Sequence, residues 1–364
     1  MTEIPKTMQA LVYRGVNDLR LETVPVPRLR PQELLVKVEA CGVCPTDIKK
    51  IQHGTVAPPR IFGHETAGTI VRLGARVQKW RLGDRVALHH HVPCLDCQAC
   101  RHGAFAQCPV YKRTGVTAGF EPAGGGYAEY VRVMPFVLPG VVRIPPRNSF
   151  AEGAMLEPVN TVLKAVKRLD LIAGDTVWVI GQGPIGLIFT RLLSVLRMKV
   201  LASDRFDARL QMARRFGAKW VLRADDPCFQ EKAGRLTRGS GLDAAVVCAP
   251  SNEAVRQAQE LIRGAGKVLL FAHTLKGQKM ELDLSKVCVD EKDLIGSYSA
   301  DVTLQREVAG WVFSRRLDVR QLITHQFPLR LAAQAIQKAA HPDPRSLKIV
   351  VSNDAHPGDG PLIK

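Results

Sequence analysis

Four cysteines stand within one short stretch of the sequence, at intervals that suit a metal ion. They are Cys94, Cys97, Cys100 and Cys108, spaced C-x2-C-x2-C-x7-C. Four thiolates so placed can surround one Zn²⁺ tetrahedrally at about 2.3 Å each, and a complete set of four leaves no position for a substrate. The spacing therefore predicts a structural zinc site. An iron–sulfur cluster is a chemical alternative, because it uses the same ligands.

A glycine-rich turn near the middle of the chain has the pattern of a dinucleotide site. It reads Gly181-Gln182-Gly183-Pro184-Ile185-Gly186 and follows the apolar segment 177–180. Gly181 permits a tight turn, Gly183 lets the backbone approach a pyrophosphate, and Gly186 lets the following helix pack on the sheet. The first NH groups of that helix then face the anion. We predict that all of these residues except Gln182 bind the cofactor.

Asp204 lies 18 residues beyond Gly186, at the end of the next apolar segment. A carboxylate there can accept hydrogen bonds from the adenosine ribose, and it repels a 2′-phosphate. Asp204 therefore favours NAD over NADP. The adjacent Arg205 favours NADP instead, because a guanidinium can bind that phosphate.

Three further motifs precede the glycine turn, and each is common by itself. They are Cys44-Pro-Thr46-Asp47, Gly63-His64-Glu65 and Leu156-Glu157-Pro158. The order of these motifs, the cysteine lobe and the glycine turn resembles the zinc-containing medium-chain alcohol dehydrogenase family over about residues 8–351. Glu157, at a position where other members have a cysteine, makes the chain most similar to the sorbitol and threonine dehydrogenase branch.

The resemblance implies a catalytic Zn²⁺ in addition to the structural one. Its ligands would be Cys44, His64 and either Glu157 or Glu65, with one open position for water or substrate. The metal would act as a Lewis acid on the alcohol oxygen, while NAD takes the hydride. Lys348 resembles the basic residue that the family places near the cofactor pyrophosphate.

The resemblance also assigns residues that orient the site and carry the proton. Asp47 matches the carboxylate that orients the His64 ring. Thr46 matches the hydroxyl that receives the substrate proton. Lys49 stands where many relatives have a relay histidine, so Lys49 or the nearby His53 is the next acceptor, unless the proton leaves directly to solvent.

A run of three histidines, His89-His90-His91, precedes the cysteine lobe. Extra metal ligation is one interpretation of this run. We favour a segment that presents the imidazoles to solvent or to a partner subunit.

The elements that must position these residues differ between the two parts of the chain. Segments 11–38 and 69–86 are short apolar runs between Gly, Pro and Asp, which predicts strands and turns. From about residue 160 onward, apolar strands alternate with helical patterns, which predicts a parallel sheet covered on both faces. Together with the resemblance, these two patterns predict an α/β protein. A GroES-like, β-rich catalytic domain would span 1–156 and 300–364, and a doubly wound Rossmann domain that binds NAD would span 157–299.

Composition limits the range of partners. The 364 residues are 46% hydrophobic and 23% charged, as in ordinary globular proteins. No apolar run resembles a membrane span or a secretion signal, so we expect a cytoplasmic protein without a membrane partner. The net charge of +17 is spread along the chain, so we expect no nucleic-acid partner. The expected partners are a small-molecule alcohol or ketone and, by resemblance, further copies of the chain in a homotetramer or homodimer.

The sequence therefore predicts an oxidoreductase that moves a hydride between a secondary alcohol and NAD. Glu157 favours a polyol, a sugar alcohol or an amino alcohol as the substrate. A dehydrogenase of simple primary alcohols and a quinone-type reductase of the same fold are alternatives, but a zinc-free reductase would need neither ligand set. A non-catalytic or nucleic-acid-binding zinc protein would not need the glycine turn.

Overall fold

The computed structural model describes residues 4–89, 92–110, 124–273 and 277–352. These residues divide into two compact units. The first contains the residues up to Asn160 and those from Ser299 onward, and the second is Thr161–Tyr298. The ranges expected from the sequence were 1–156, 157–299 and 300–364. Among the described residues, no helix combines the length and the apolar character that a membrane span requires.

The first unit begins as a series of short strands and ends in a helix that continues into the second unit. In chain order its elements are β1 (Thr7–Gly15), β2 (Asp18–Pro25), β3 (Leu34–Gly42), α1 (Pro45–His53), β4 (Arg60–Ile61), β5 (Glu65–Leu73), β6 (Arg85–Ala87), α2 (Gln98–Arg101), β7 (Tyr130–Val133), β8 (Val142–Arg143), α3 (Phe150–Ala154) and α4 (Leu156–Leu169).

The second unit alternates strands with helices. Its elements are β9 (Thr176–Ile180), α5 (Pro184–Val195), β10 (Lys199–Asp204), α6 (Asp207–Arg215), β11 (Trp220–Arg223), α7 (Phe229–Leu236), β12 (Leu242–Val247), α8 (Asn252–Leu261), β13 (Ile262–Leu270), α9 (Leu284–Cys288) and β14 (Asp293–Gly296). The chain then returns to the first unit with α10 (Gln305–Phe313), β15 (Ile323–Pro328), α11 (Ala332–Ala340) and β16 (Lys348–Ser352).

The six strands of the second unit form one parallel sheet in the order β11-β10-β9-β12-β13-β14. This is the doubly wound Rossmann order, in which the strand order reverses beside the first strand, β9. The central strands are apolar and buried, as strands covered on both faces must be. The predicted α/β class with a Rossmann sheet is confirmed.

Two sheets make up the first unit. One has three strands in the order β2-β1-β4, and the other has seven, in the path β15-β16-β3-β5-β6-β8 with β7 paired to β3. The C-terminal strand β16 runs antiparallel to β3, with Val350 opposite Gly42 and Val351 opposite Cys41. This pairing brings the start of β16 beside the segment that leads into α1, where Cys44 lies.

Candidate metal centres and cofactor turn

The four cysteines of the lobe converge on a common point. The Sγ atoms lie 3.5 Å apart for Cys97 and Cys100, 3.6 Å for Cys94 and Cys108, and 3.9 Å for Cys94 and Cys100. A tetrahedral Zn²⁺ with bonds of about 2.3 Å requires sulfur atoms about 3.8 Å apart. A disulfide would need about 2.05 Å, so these thiols are spaced for a metal.

Local structure explains how the lobe reaches this arrangement. The helix α2 places Cys97 at its N-cap and Cys100 in its single turn, so that the two thiols are three residues apart on one side. The amides of Cys94 and Cys97 donate to the sulfurs of Cys108 and Cys94 at 3.4 Å each. Such N–H···S bonds favour the thiolate, which is the form that binds zinc.

Cys44 occupies the N-cap of α1, the helix that begins at Pro45. Its sulfur accepts a hydrogen bond from the amide of Thr46 at 3.4 Å. Proline suits the first helical position, because that residue has no intrahelical partner for an N–H. The positive end of the helix therefore faces the Cys44 sulfur.

His64 is buried, and its Nδ1 donates to Oδ1 of Asp47 across 3.0 Å. With Nδ1 engaged in this way, Nε2 is the ring nitrogen that would bind a metal, as in other carboxylate–histidine pairs of metal sites. Burial alone would raise the pKa of Asp47, but the facing His64 holds it below its usual value. Gly63 keeps the turn before His64 tight: it has a φ of +97°, and a Cβ there would lie 2.8 Å from both the Cys41 sulfur and the Tyr127 amide.

Glu65 is the first residue of β5, and its carboxylate is buried beside an ammonium group. Lys348 places its Nζ 2.5 Å from each Glu65 oxygen and 3.0 Å from the carbonyl oxygen of Val43. Gly42 makes room for this pair, because a Cβ on Gly42 would overlap the Glu65 carboxylate. The sequence contained a weak signal for this arrangement, namely a glycine between Cys41 and Val43, which our sequence analysis missed.

This geometry gives Lys348 a partner that the sequence did not reveal, whereas its predicted contact with the cofactor pyrophosphate stays a prediction. The ammonium of Lys348 is buried within the first unit, where it donates to Glu65 and to a backbone carbonyl. Burial alone would lower the pKa of Lys348, but the charge of Glu65 outweighs it and raises that pKa above the ordinary value. Lys348 is therefore a charged partner of Glu65.

The structure brings Cys44, His64 and Glu65 together, with one ligand atom from each within 4.8 Å of the others. Glu157 lies in the first turn of α4, and its carboxyl is also buried. It does not belong to that closely spaced group of described residues. Burial raises the pKa of Glu157 to about 7, against the opposing charges of His64 and Lys348.

The three residues assigned to proton transfer lie along one stripe of α1. Thr46, Lys49 and His53 are three and four residues apart, which places them on the same side of a helix. The opposite side, with Asp47, Ile48 and Ile51, is buried. Thr46 and Lys49 are half-buried and His53 is exposed, so the stripe leads from the interior to solvent. Burial lowers the pKa of Lys49, although the nearby Cys44 opposes the shift.

The expectation for His89 was wrong. Its ring is fully buried, and Nδ1 lies 3.0 Å from Oε1 of Gln305, which also accepts from the Asn160 amide. His89 is thus part of an internal polar network and does not face solvent. His90 and His91 lie outside the described residues.

The glycine turn of the second unit has the geometry expected for a pyrophosphate site. Gly181 follows β9 with a φ of +88°, and its amide donates to the Ser203 carbonyl at 2.8 Å. A Cβ on Gly186 would overlap the Gly181 carbonyl oxygen, whereas a Cβ on Gly183 would meet only open space. Gly183 is the N-cap of α5 and offers no side-chain cap, which leaves the first NH groups available to an anion.

Asp204 is the last residue of β10, and its carboxylate holds two backbone amides in place, a role that the sequence did not reveal. Its Oδ2 accepts from the Gln182 amide at 2.7 Å and its Oδ1 accepts from the Phe206 amide at 3.0 Å. Arg209 lies 3.8 Å from the same carboxylate, and Arg205 is exposed. Each carboxylate oxygen has a second lone pair, so Asp204 can hold the turn and still accept from a ribose.

Two protein-family models match the chain. The alcohol dehydrogenase GroES-like domain matches residues 30–145, and the zinc-binding dehydrogenase domain matches residues 184–314. Sorbitol dehydrogenase of Bombyx mori is 30% identical over 354 residues, which are 94% of this chain and 99% of that protein.

Solved structures share the whole fold. An NADP-bound protein of Sinorhizobium meliloti 1021 is 27% identical with a TM-score of 0.87 and covers 96% of this chain and 100% of its own. Acetophenone reductase of Geotrichum candidum NBRC 4597, in complex with NAD, is 25% identical with a TM-score of 0.80 and covers 96% and 98%. With the order of its motifs and its two ligand sets, the chain therefore belongs to the zinc-containing medium-chain alcohol dehydrogenase family, in its sorbitol dehydrogenase-like branch.

Proposed function

We propose that this protein oxidises a secondary alcohol to the ketone, with NAD⁺ as hydride acceptor and release of one proton, and that it catalyses the reverse reduction. The preferred substrate is a polyol, a sugar alcohol or an amino alcohol. The observation that carries the proposal is the convergence of Cys44, His64 and Glu65 beside the stripe of α1. A zinc-free quinone reductase would need neither this set nor the four cysteines.

The donors of the site fit a zinc ion that keeps an open position. We assign Cys44, His64 and Glu65 as its ligands, because a thiolate, an imidazole Nε2 and a carboxylate are ordinary zinc donors. When bound, the ion supplies a Lewis acid for the substrate oxygen. Glu65 can serve as a ligand because Gly42 leaves space for its carboxylate, and Lys348 compensates its charge.

The remaining residues of this site orient groups and move the proton. Asp47 fixes the ring of His64 and its tautomer through the bond to Nδ1. Thr46, at the start of α1, accepts the proton of the substrate hydroxyl and passes it along the stripe toward solvent. Glu157 is buried in the first turn of α4, and we propose that its carboxyl contacts a substrate hydroxyl.

Substrate class is tested by steady-state rates of NADH formation. We expect sorbitol or another polyol, or threonine as an amino alcohol, to exceed ethanol in kcat/KM by at least about 10-fold. A site that hydrogen-bonds a substrate hydroxyl strongly disfavours a substrate that lacks it. The control is the same panel after prolonged chelation, which should abolish all rates. A preference for ethanol would instead support a dehydrogenase of simple primary alcohols.

The cysteine lobe should matter for stability and not for chemistry. In Cys97→Ser we expect zinc content to fall from about two ions per chain to about one, with a loss of about 2–5 kcal/mol in the free energy of unfolding, as for other structural crosslinks. Metal analysis and thermal unfolding measure both. The matched control is Cys228→Ser, because Cys228 is an exposed free thiol outside the lobe. Iron in the native lobe would contradict the zinc assignment.

We propose that the enzyme prefers NAD⁺ to NADP⁺ because of Asp204. Asp204→Ala should lower the ratio of kcat/KM for NAD⁺ to kcat/KM for NADP⁺ by about 10-fold or more. The variant removes both the carboxylate that accepts hydrogen bonds from the ribose and the charge that repels a 2′-phosphate. The ratio is the appropriate measure, because loss of the bonds to Gln182 and Phe206 should affect both cofactors alike. Arg205→Gln is the companion variant, and a wild-type preference for NADP⁺ would assign control to Arg205.

We propose a homotetramer, with a homodimer as the second possibility. The second unit carries exposed apolar side chains at Leu284, Val289, Leu294 and Tyr298, and Leu294 belongs to β14, an edge strand of the sheet. Edge strands and exposed apolar residues favour association between chains. Sedimentation should give about four times the chain mass of 40.0 kDa. A monomer at micromolar concentration would contradict the proposal.

A further inference from the structure

A surface pocket of about 470 Å³ lies at the outer edge of the Rossmann sheet, on β11 and between α6 and α7. Pockets for small ligands have volumes of about 300–1,000 Å³, so this one is large enough for a small molecule. It lies within the second unit and contains none of the residues assigned above to zinc, cofactor or proton transfer. The proposed function therefore does not account for it.

The charged residues that line the pocket are all cationic. They are Arg214 on α6, Lys219 immediately before β11, and Lys232 and Arg235 on α7. Two of them are compensated nearby, because Lys232 lies 2.5 Å from the Asp226 carboxylate and Arg235 pairs with Glu231 one turn away.

Arg214 and Lys219 have no carboxylate partner among the residues that the structure describes. Lys219 instead lies over the ring of Trp220, 4.6 Å from its centroid. Both side chains are exposed. The pocket thus keeps about two positive charges that a bound anion could neutralise, and the net charge of +17 adds a long-range attraction for anions.

The rest of the lining is apolar. Trp220, Val221, Leu222 and Leu236 are half-buried, and three of them (Trp220, Leu222 and Leu236) pack against the buried core of the unit around Phe229. Their accessible faces form an apolar floor beneath the cationic rim. A hydrated inorganic anion would contact the cationic side chains and leave the apolar floor exposed to water. An apolar neutral molecule would contact only the floor. A ligand that combines both properties matches the pocket best.

We propose that this pocket binds a small organic anion with an apolar body, such as a medium-chain carboxylate. The carboxylate contacts Arg214 and Lys219, and the chain lies on the floor formed by Trp220 and Leu236. Binding here does not require zinc or NAD.

The proposal is tested on the purified holoenzyme at low ionic strength, with octanoate as the probe and calorimetry as the readout. Acetate supplies the charge without the chain, and octanamide supplies the chain without the charge. We expect octanoate to bind at least about 10-fold more tightly than either, because burial of several methylene groups and a charged contact each contribute to affinity. Equal affinities for octanoate and octanamide would overturn the proposal.

Variants then locate the bound probe. Arg214→Gln/Lys219→Gln should weaken octanoate binding about 10-fold or more, since two charged contacts are lost. The matched control, Arg215→Gln/Lys199→Gln, makes the same charge change at exposed positions on α6 and β10 outside the pocket, and it should leave the affinity unchanged. Equal octanoate affinity in wild type and the pocket variant would overturn the proposal, because it would place the probe elsewhere, such as the metal centre.

The fluorescence of Trp220 provides an independent readout. Octanoate should change the intrinsic emission of wild type, and Trp220→Phe should abolish that change while the calorimetric affinity stays within about threefold, because phenylalanine keeps an apolar aromatic surface. A full response in Trp220→Phe would again overturn the proposal.

Discussion

Replacing His64 with Ala is expected to reduce turnover by at least about 10³-fold and to leave about one zinc ion per chain. The reason is that His64 is one of the three described residues that form the open ligand set, while the cysteine lobe keeps its own four. Metal analysis and rates of NADH formation on one preparation measure both effects. The unfolding temperature should stay close to that of wild type, because the lobe still holds its ion.

Two carboxylate variants separate the roles of Glu65 and Glu157. We expect Glu65→Gln to lose the second zinc ion and Glu157→Gln to retain it. Of these two carboxylates, it is Glu65 that belongs with Cys44 and His64 to the group of described residues whose ligand atoms lie within 4.8 Å of one another. Retention of zinc in Glu65→Gln with loss in Glu157→Gln would make Glu157 the third ligand. Full activity of a zinc-free wild-type protein would refute the metal assignment altogether.

Asp47→Asn is the matched test of ring orientation. The amide keeps the shape of Asp47 but weakens the bond to Nδ1 of His64 that the structure places at 3.0 Å. We expect about 10- to 100-fold weaker zinc affinity, the usual cost of losing such a partner. The fold should persist, since Asn has almost the same volume.

The Rossmann unit could be predicted from the sequence because its signals are local. The buried strand before Gly181, the helix after it and the carboxylate of Asp204 at the end of the next strand all lie within about 30 residues of one another, as in other units of this type. Parallel strands joined by helices leave few topologies, so these local signals also fix most of the sheet. The hydrogen bonds that Asp204 accepts from the backbone amides of Gln182 and Phe206 could not be predicted, because every residue other than proline has such an amide.

The first unit was less accessible from sequence because its pairings are long-range. β16 pairs with β3 across about 300 residues of chain, and no periodicity reveals which distant strands meet. Lys348 therefore could not be placed beside Glu65 from the sequence. His89 was misassigned for the same reason, since its partner Gln305 lies 216 residues away. A buried histidine and an exposed one look alike in sequence.

Replacing Thr46 with Val is expected to lower kcat by about 10²- to 10⁴-fold, the usual contribution of a positioned proton transfer. Valine keeps the size and β-branching of threonine but removes the hydroxyl. The amide of residue 46 remains to donate to the Cys44 sulfur, so zinc content should not change. Thr46→Ser restores the hydroxyl and should recover most of the rate. Unchanged turnover in Thr46→Val would show that the proton leaves directly to water.

The pH dependence of kcat then identifies the acceptor beyond Thr46. A lysine must be deprotonated to accept, so if Lys49 is the acceptor the rate rises as the pH passes upward through its pKa, which burial lowers. Lys49→Ala would remove that rise, whereas Lys50→Ala, the same charge change at the next residue of α1, would keep it. Loss of the rise in His53→Ala, with the rise retained in Lys49→Ala, would assign the role to His53. If neither variant alters the profile, the proton passes from Thr46 to solvent without Lys49 or His53 as acceptor. The outer end of the stripe is already exposed at His53.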